Sequence, residues 1–330
     1  MGTEKKREPP KKKKSIEKRL MVLVFSVIVF VLLLPTVVYH FKISLPHYLY
    51  QKKYWHPLNI YEVADTAYKA ELVYGKNLIA NTAKYLGPNG IVKQISNGMN
   101  CQNCHLAAGT VVFGMNYGSV ASIYPKFRAR SGTVEPIYKR VNDCFERSLN
   151  GKSLDTSSRE MKAILAYIQY IGSNTPKGEQ AFGSGLKALA FMDRAADPLS
   201  GKLLYMSTCQ RCHQRNGQGL LNADRSEFVY PPLWGQNSFN DGAGMYRISN
   251  LAKFIKSNMP QGTTHNKPVL SNDESWDIAA FVLSQKRPHF DRVKADWPDI
   301  KQKPVDYPFA PYADSFSEQQ HKFGPFKQMQ

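Results

Sequence analysis

Cys101-Gln102-Asn103-Cys104-His105 and Cys209-Gln210-Arg211-Cys212-His213 decide the reading of this chain. Each is Cys-x-x-Cys-His, the attachment pattern of a c-type haem: two thioether bonds fix the porphyrin edge and the adjacent imidazole reaches iron. A zinc site or a redox dithiol is the competing reading of Cys-x-x-Cys, and the doubled trailing histidine weighs against it. Two covalently bound haem c groups are the expected cofactors, with His105 and His213 as proximal ligands. Cys144, the fifth of five cysteines, is left over.

Outward from each motif the same order recurs. Before the first, Tyr61 to Leu86 carries helical patterning, with Leu72, Leu78, Ile79, Ala83 and Leu86 on one broad side, and Gly87-Pro88-Asn89-Gly90 ends it. Before the second, Asp197-Pro198 supplies an N-cap and a first-turn proline for a helix through Leu203 and Leu204. After each motif a long loop leads to a capped amphipathic run. Ser157-Ser158-Arg159-Glu160 opens one, with Ile164, Tyr167, Ile168 and Ile171 on its apolar stripe; Ser271-Asn272-Asp273-Glu274 opens the other, with Ile278, Phe281 and Val282. This is the layout of a class I cytochrome c domain, in which terminal helices cross and loops wrap the haem.

The expected fold is therefore mainly α: two class I cytochrome c domains in tandem, over 66–178 and 179–290, preceded by one N-terminal transmembrane helix. At 330 residues the chain has length for about two domains. Apolar content of 42% and charged content of 21% exclude wholesale disorder and a polytopic membrane protein. Residues 41–65 read as a spacer. Residues 291–330, rich in proline and aromatics, read as a C-terminal strap across both domains.

Leu20 to Tyr39 is apolar and uncharged, long enough at 1.5 Å per residue to span a hydrocarbon core of about 30 Å. The bulky residues after it disfavour a cleaved signal peptide. We read 20–40 as a signal anchor and 1–19 as a cytoplasmic basic tail, in which Lys11 to Lys14 hold the N-terminus inside. The expected location is the inner membrane, single-pass, with the haem domains in the periplasm. Because the basic run serves the anchor, no nucleic-acid partner is expected. A net charge of +18 also makes a strongly cationic substrate a poor choice.

The occupant of the sixth iron position decides what each haem does. For the second haem, Met259-Pro260 lies in a polar loop a short way ahead of Ser271, with Met245 and His265 as competitors. For the first, the corresponding position ahead of Ser157 is Cys144, with Met115 as the fallback. Thiolate ligation suits a nucleophile better than a simple electron carrier. Lys126, Arg128, Arg130, Lys139, Arg140 and Arg147 surround Cys144 in sequence. Nearby positive charge favours thiolate and concentrates small anions, which points to an anionic sulfur substrate.

On SNGMNCQNCHLAAGT (96–110), NYGSVASIYPKFRARSGTVEPIYKRVNDCFERSLNG (116–151), the TCQRCH segment, the NMP loop and KPVDYPFAPYADSFSEQQHKFGPF (303–326), the chain resembles the dihaem thiosulfate dehydrogenases, a family that includes tetrathionate reductases. The resemblance runs from about Leu72 to Phe326. It implies His105/Cys144 ligation in the first domain and His213/Met259 in the second. It also implies reversible joining of two thiosulfates into tetrathionate with release of two electrons to a redox protein or membrane electron carrier. In that chemistry Cys144 leaves the iron and forms a mixed sulfur adduct that a second thiosulfate attacks. Arg130, Arg140, Arg147 and Ser148 are similar to the family's anion-binding positions. Some members carry a lysine before the distal methionine; here that position is Asn258, which speaks against a ligand switch. The anchor is a further departure. Three other functions compete: a tethered dihaem cytochrome that only relays electrons, a thiosulfotransferase like the related sulfur-oxidation cytochromes, and a dihaem peroxidase, which needs an open iron.

Overall fold

The computed structural model describes residues 18–32 and 53–330, which belong to two units, Met1–Lys53 and Tyr54–Gln330. In the first unit, residues 18–32 are helical and exposed. At 1.5 Å per residue they reach roughly 22 Å, short of a hydrocarbon core. Among the described residues, no helix is long and apolar enough to cross a membrane. The rest of the expected 20–40 span lies outside the described residues.

In the second unit, helices α1 (Thr66–Ala80), α2 (Thr82–Leu86), α3 (Ile137–Asp143) and α4 (Arg159–Gly172) frame the first half. Helices α5 (Pro198–Leu204), α6 (Ile248–Asn258) and α7 (Asn272–Ser284) frame the second, and α8 (Glu318–Phe323) lies in the C-terminal stretch. Two antiparallel hairpins accompany them: Lys126–Arg128 with Thr133–Glu135, and Leu220–Leu221 with Phe228–Tyr230.

Capping explains where the framing helices begin. Asp65 accepts from the Tyr68 amide at α1, and Asp197 accepts from Leu199 and Ser200 at α5. At α7, Ser271 and Glu274 complete the reciprocal box that the sequence predicts. The first half differs. Ser158, not Ser157, caps α4, and Glu160 accepts from the Tyr74 hydroxyl instead of closing a box. Ser157 is turned to the Asp155 carboxylate.

The crossing of the terminal helices repeats to a fine level. A Cβ on Gly75 of α1 would sit 2.0 Å from the Ala163 carbonyl oxygen of α4. One on Gly201 of α5 would sit 1.8 Å from the Asp277 carbonyl oxygen of α7. Only glycine permits backbones that close. Each half has its own apolar core, one around Leu72, Leu78, Met161, Ile164 and Tyr167, the other around Tyr205, Ile248, Trp276, Ile278 and Phe281. Each such side chain contributes roughly 1.5–3 kcal/mol on burial.

Of residues 41–65, expected as spacer, 54–65 belong to the second unit. Trp55 and Ile60 are buried in the first core, and the Trp55 amide donates to the Phe182 carbonyl. Beyond α7 the chain touches both halves. Trp297 donates to the Arg130 carbonyl at 2.7 Å, Asp306 accepts from Arg247 and the Ser249 amide, and Phe326 and Met329 join the second core.

Candidate functional site

Each Cys-x-x-Cys-His motif lies on the wall of a cavity. The first is lined by Cys101, Cys104 and His105, with Cys144, Arg140, Ser148 and Tyr124 among the other lining residues. The second is lined by Cys209, Cys212 and His213, with Met259, Val229, Pro231, Leu233 and Phe254. Met99, Cys104 and Met245 line both, so one partition separates the two spaces.

Both histidines are held in the same way. His105 Nδ1 lies 2.6 Å from the Met115 carbonyl, and His213 Nδ1 lies 2.8 Å from the Pro231 carbonyl. A carbonyl only accepts, so Nδ1 carries the proton and the Nε2 lone pair is left for a metal. Burial lowers the His213 pKa, which further favours the neutral ring. Two cysteines, an oriented imidazole and a third sulfur on the wall of each cavity fit a covalently bound haem c.

Of the competing donors, only His265 is removed by its position. Met115 lines the first cavity, but its carbonyl stands behind the His105 ring at Nδ1. His265 is absent from the second cavity's wall and sits edge-on to the Tyr54 and Phe113 rings. Met245 belongs to the partition. Met259 comes directly after α6, its amide donating to the Ile255 carbonyl at 3.0 Å. The neighbouring Asn258 side chain donates to the Phe113 carbonyl across the halves.

Cys144 comes directly after α3 and opens a wide π-type turn, Cys144–Ser148. Arg140, Cys144 and Ser148 recur at four-residue spacing, which puts them on one helix face, and all three reach the first cavity. Burial pushes the Cys144 thiol up, but the Arg140 charge, with the His105 ring close by, outweighs it and holds it at about 7. Cys144 in turn raises the Arg140 pKa. Among the described residues, Arg140 has no carboxylate within ion-pair distance, while Lys139 beside it pairs with Asp143 and Glu135. Arg140 thus keeps its charge available to an anion.

The other predicted anion-binding groups lie differently. Arg147 is not on the cavity wall. Its guanidinium makes two 2.7 Å bonds to Asp296, a third to the Gly242 carbonyl, and stacks on Phe290, so it is held inside the protein, with its buried Nε left without a partner. Arg130 lies between Asp296 and Gly244, a residue of the cavity wall. Lys126 and Arg128 belong to the hairpin outside the cavity.

Family models match in the same two places. The SoxA/TsdA cytochrome c domain matches residues 92–176, and the cytochrome c oxidase cbb3-type subunit III model matches 196–282. Over 236 residues the chain is 35% identical to the thiosulfate dehydrogenase of Allochromatium vinosum, covering 70% of this chain and 84% of that one. The chain belongs to the thiosulfate dehydrogenase family. A second relative in the family, from Psychrobacter arcticus, is 36% identical over 239 residues, covering 72% of this chain and 69% of its own. The solved thiosulfate dehydrogenase TsdBA of Marichromatium purpuratum, in its as-isolated form, superposes with a TM-score of 0.68 at 27% identity over 78% of this chain. The present chain covers 54% of that solved chain. The family carries c-type haem, and this chain has two covalently bound haem c groups, one on each motif.

Three site features escaped the sequence reading. The four-residue spacing of Arg140, Cys144 and Ser148 was there to find. So was Gly-Lys-x-Leu, which stands at 75–78 and again at 201–204, at both helix crossings. The carbonyls of Met115 and Pro231 left no signal, since any residue supplies one.

Proposed function

We propose that the chain oxidises thiosulfate to tetrathionate at the Cys144 cavity and passes the two electrons out through its second half. The observation that carries this reading is the placement of Cys144, Arg140 and Ser148 on one helix face opposite the His105 motif. Arg140 and Ser148 bind the sulfonate end of thiosulfate and direct its terminal sulfur at Cys144. A Cys144–S–S–sulfonate bond forms with loss of two electrons. The terminal sulfur of a second thiosulfate then attacks the sulfur bonded to the sulfonate group, releasing Cys144 as thiolate and leaving tetrathionate. When bound, the two haem groups supply two one-electron acceptors for the pair released in the first step. His105 and Cys144 would hold the iron of the first group, and His213 and Met259 that of the second. Exchange at sulfur is reversible, so the same residues serve tetrathionate reduction when a strong electron donor is present.

The 20–40 apolar run anchors the chain in the inner membrane with both haem halves in the periplasm, next to a redox protein or membrane electron carrier that takes the electrons. The test is steady-state oxidation of thiosulfate with ferricyanide as acceptor, with tetrathionate measured as product. Turnover on thiosulfate alone separates this reading from a thiosulfotransferase, which needs a carrier protein. No thiosulfate-dependent reduction of the dye leaves an electron relay.

A further inference from the structure

Asp296, in the C-terminal stretch, is the carboxylate around which the site's arginines are sorted. It is buried, and both its oxygens bond Arg147 at 2.7 Å. The Tyr307 hydroxyl donates to Oδ2 at 2.9 Å. Arg130 Nε lies 3.9 Å from the same oxygen, inside ion-pair range but too far for a hydrogen bond, and this buried Nε has no other partner. Next in the chain, the Trp297 amide grips the Arg130 carbonyl at 2.7 Å. On its other side, Arg130 Nη2 lies 4.0 Å from where a Cβ on Gly244 would stand, and Gly244 lines the Cys144 cavity.

We propose that Asp296 is a positioning residue that holds the Arg130 guanidinium against the wall of the Cys144 cavity and thereby sets the affinity of that site for its oxoanion. This rests on the reading of the cavity as a thiosulfate site. The electrostatics point the same way. Burial lowers the Arg130 pKa, and the Arg140 and Arg147 charges lower it further, while Asp296 and Tyr307 act against them. Without the carboxylate, the Arg130 and Arg147 guanidinium groups lose their shared counter-charge, and Arg130, bound to nothing at Nε, is the one free to swing away. Arg147 stays in place through the Gly242 carbonyl and the Phe290 ring.

The experiment compares wild type with Asp296→Asn, Asp296→Glu and Asp296→Asn/Arg147→Gln, each as the full chain with both haem groups attached. Asp296→Asn raises the thiosulfate KM with ferricyanide, and the thiosulfate Kd by calorimetry without acceptor, by about tenfold or more, about 1.4 kcal/mol. Its kcat stays within about threefold of wild type. Asp296→Glu, which restores the charge, recovers most of the affinity. The double variant removes the charge that Asp296 leaves stranded on Arg147 and safeguards folding. Under the proposal its KM stays high, because Arg130 still lacks its anchor. A wild-type KM in either asparagine-containing variant, or a loss confined to kcat, overturns the assignment. A wild type that does not oxidise thiosulfate overturns the reading of the site instead.

Discussion

The two halves share helix crossing, haem motif and histidine support, and they part at the C-terminal end of the helix that faces the motif. In the first, α3 runs into Cys144 with Arg140 and Ser148 on the same face. In the second, α6 runs into Met259 among Val229, Leu233, Phe239, Leu251 and Phe254. Under the proposed function, a scaffold that presents the same oriented imidazole twice supports two tasks, and the task is set by one sulfur and the charge around it. A thiolate beside a guanidinium with no carboxylate partner would attract and attack; a thioether in an apolar wall would do neither, and would favour the reduced state.

The sharpest way to break that contrast is Cys144→Ala. It should cut thiosulfate oxidation by about a thousandfold or more while both haem groups remain attached, as read by haem staining of the denatured chain. Removing the guanidinium while keeping the sulfur is the next largest effect. Arg140→Ala should lower kcat/KM by about a hundredfold, chiefly through KM, and Arg140→Lys should recover part of it. In the second half the opposite pattern is expected. Met259→Ala should leave the thiosulfate KM unchanged, reduce turnover by about tenfold and lower one of two midpoints in a redox titration. A raised KM in that variant would mean that the halves do not divide the labour. The smallest effect sharpens the structural comparison. Ser271→Ala should cost about 1 kcal/mol in denaturant unfolding, whereas Ser157→Ala should cost almost nothing, because Ser158 is the residue that caps α4.

The architecture was legible because its signals are local. A Cys-x-x-Cys-His motif, an Asp-Pro helix start and a Ser271/Glu274 box each declare themselves within a few residues. The place of Cys144 on the wall of the first cavity was legible from its position in a repeat. What the sequence concealed depends on contacts between distant segments. Arg147 is a basic residue three positions from Cys144, and nothing local says that Asp296 claims it. The α4 cap lies one residue later, at Ser158, and Tyr74, from another helix, takes Glu160. Met115 looked like an alternative sulfur ligand, yet what the fold uses at His105 is its carbonyl. The apolar run at 20–40 was read from composition alone, and only 20–32 of it falls among the described residues.

Met99, Cys104 and Met245 are common to the walls of both cavities. Under the proposed function, electrons drawn from sulfur on one side would cross that thin shared boundary without waiting for any hinge to swing, and a half-oxidised anion would have little time to wander into side reactions.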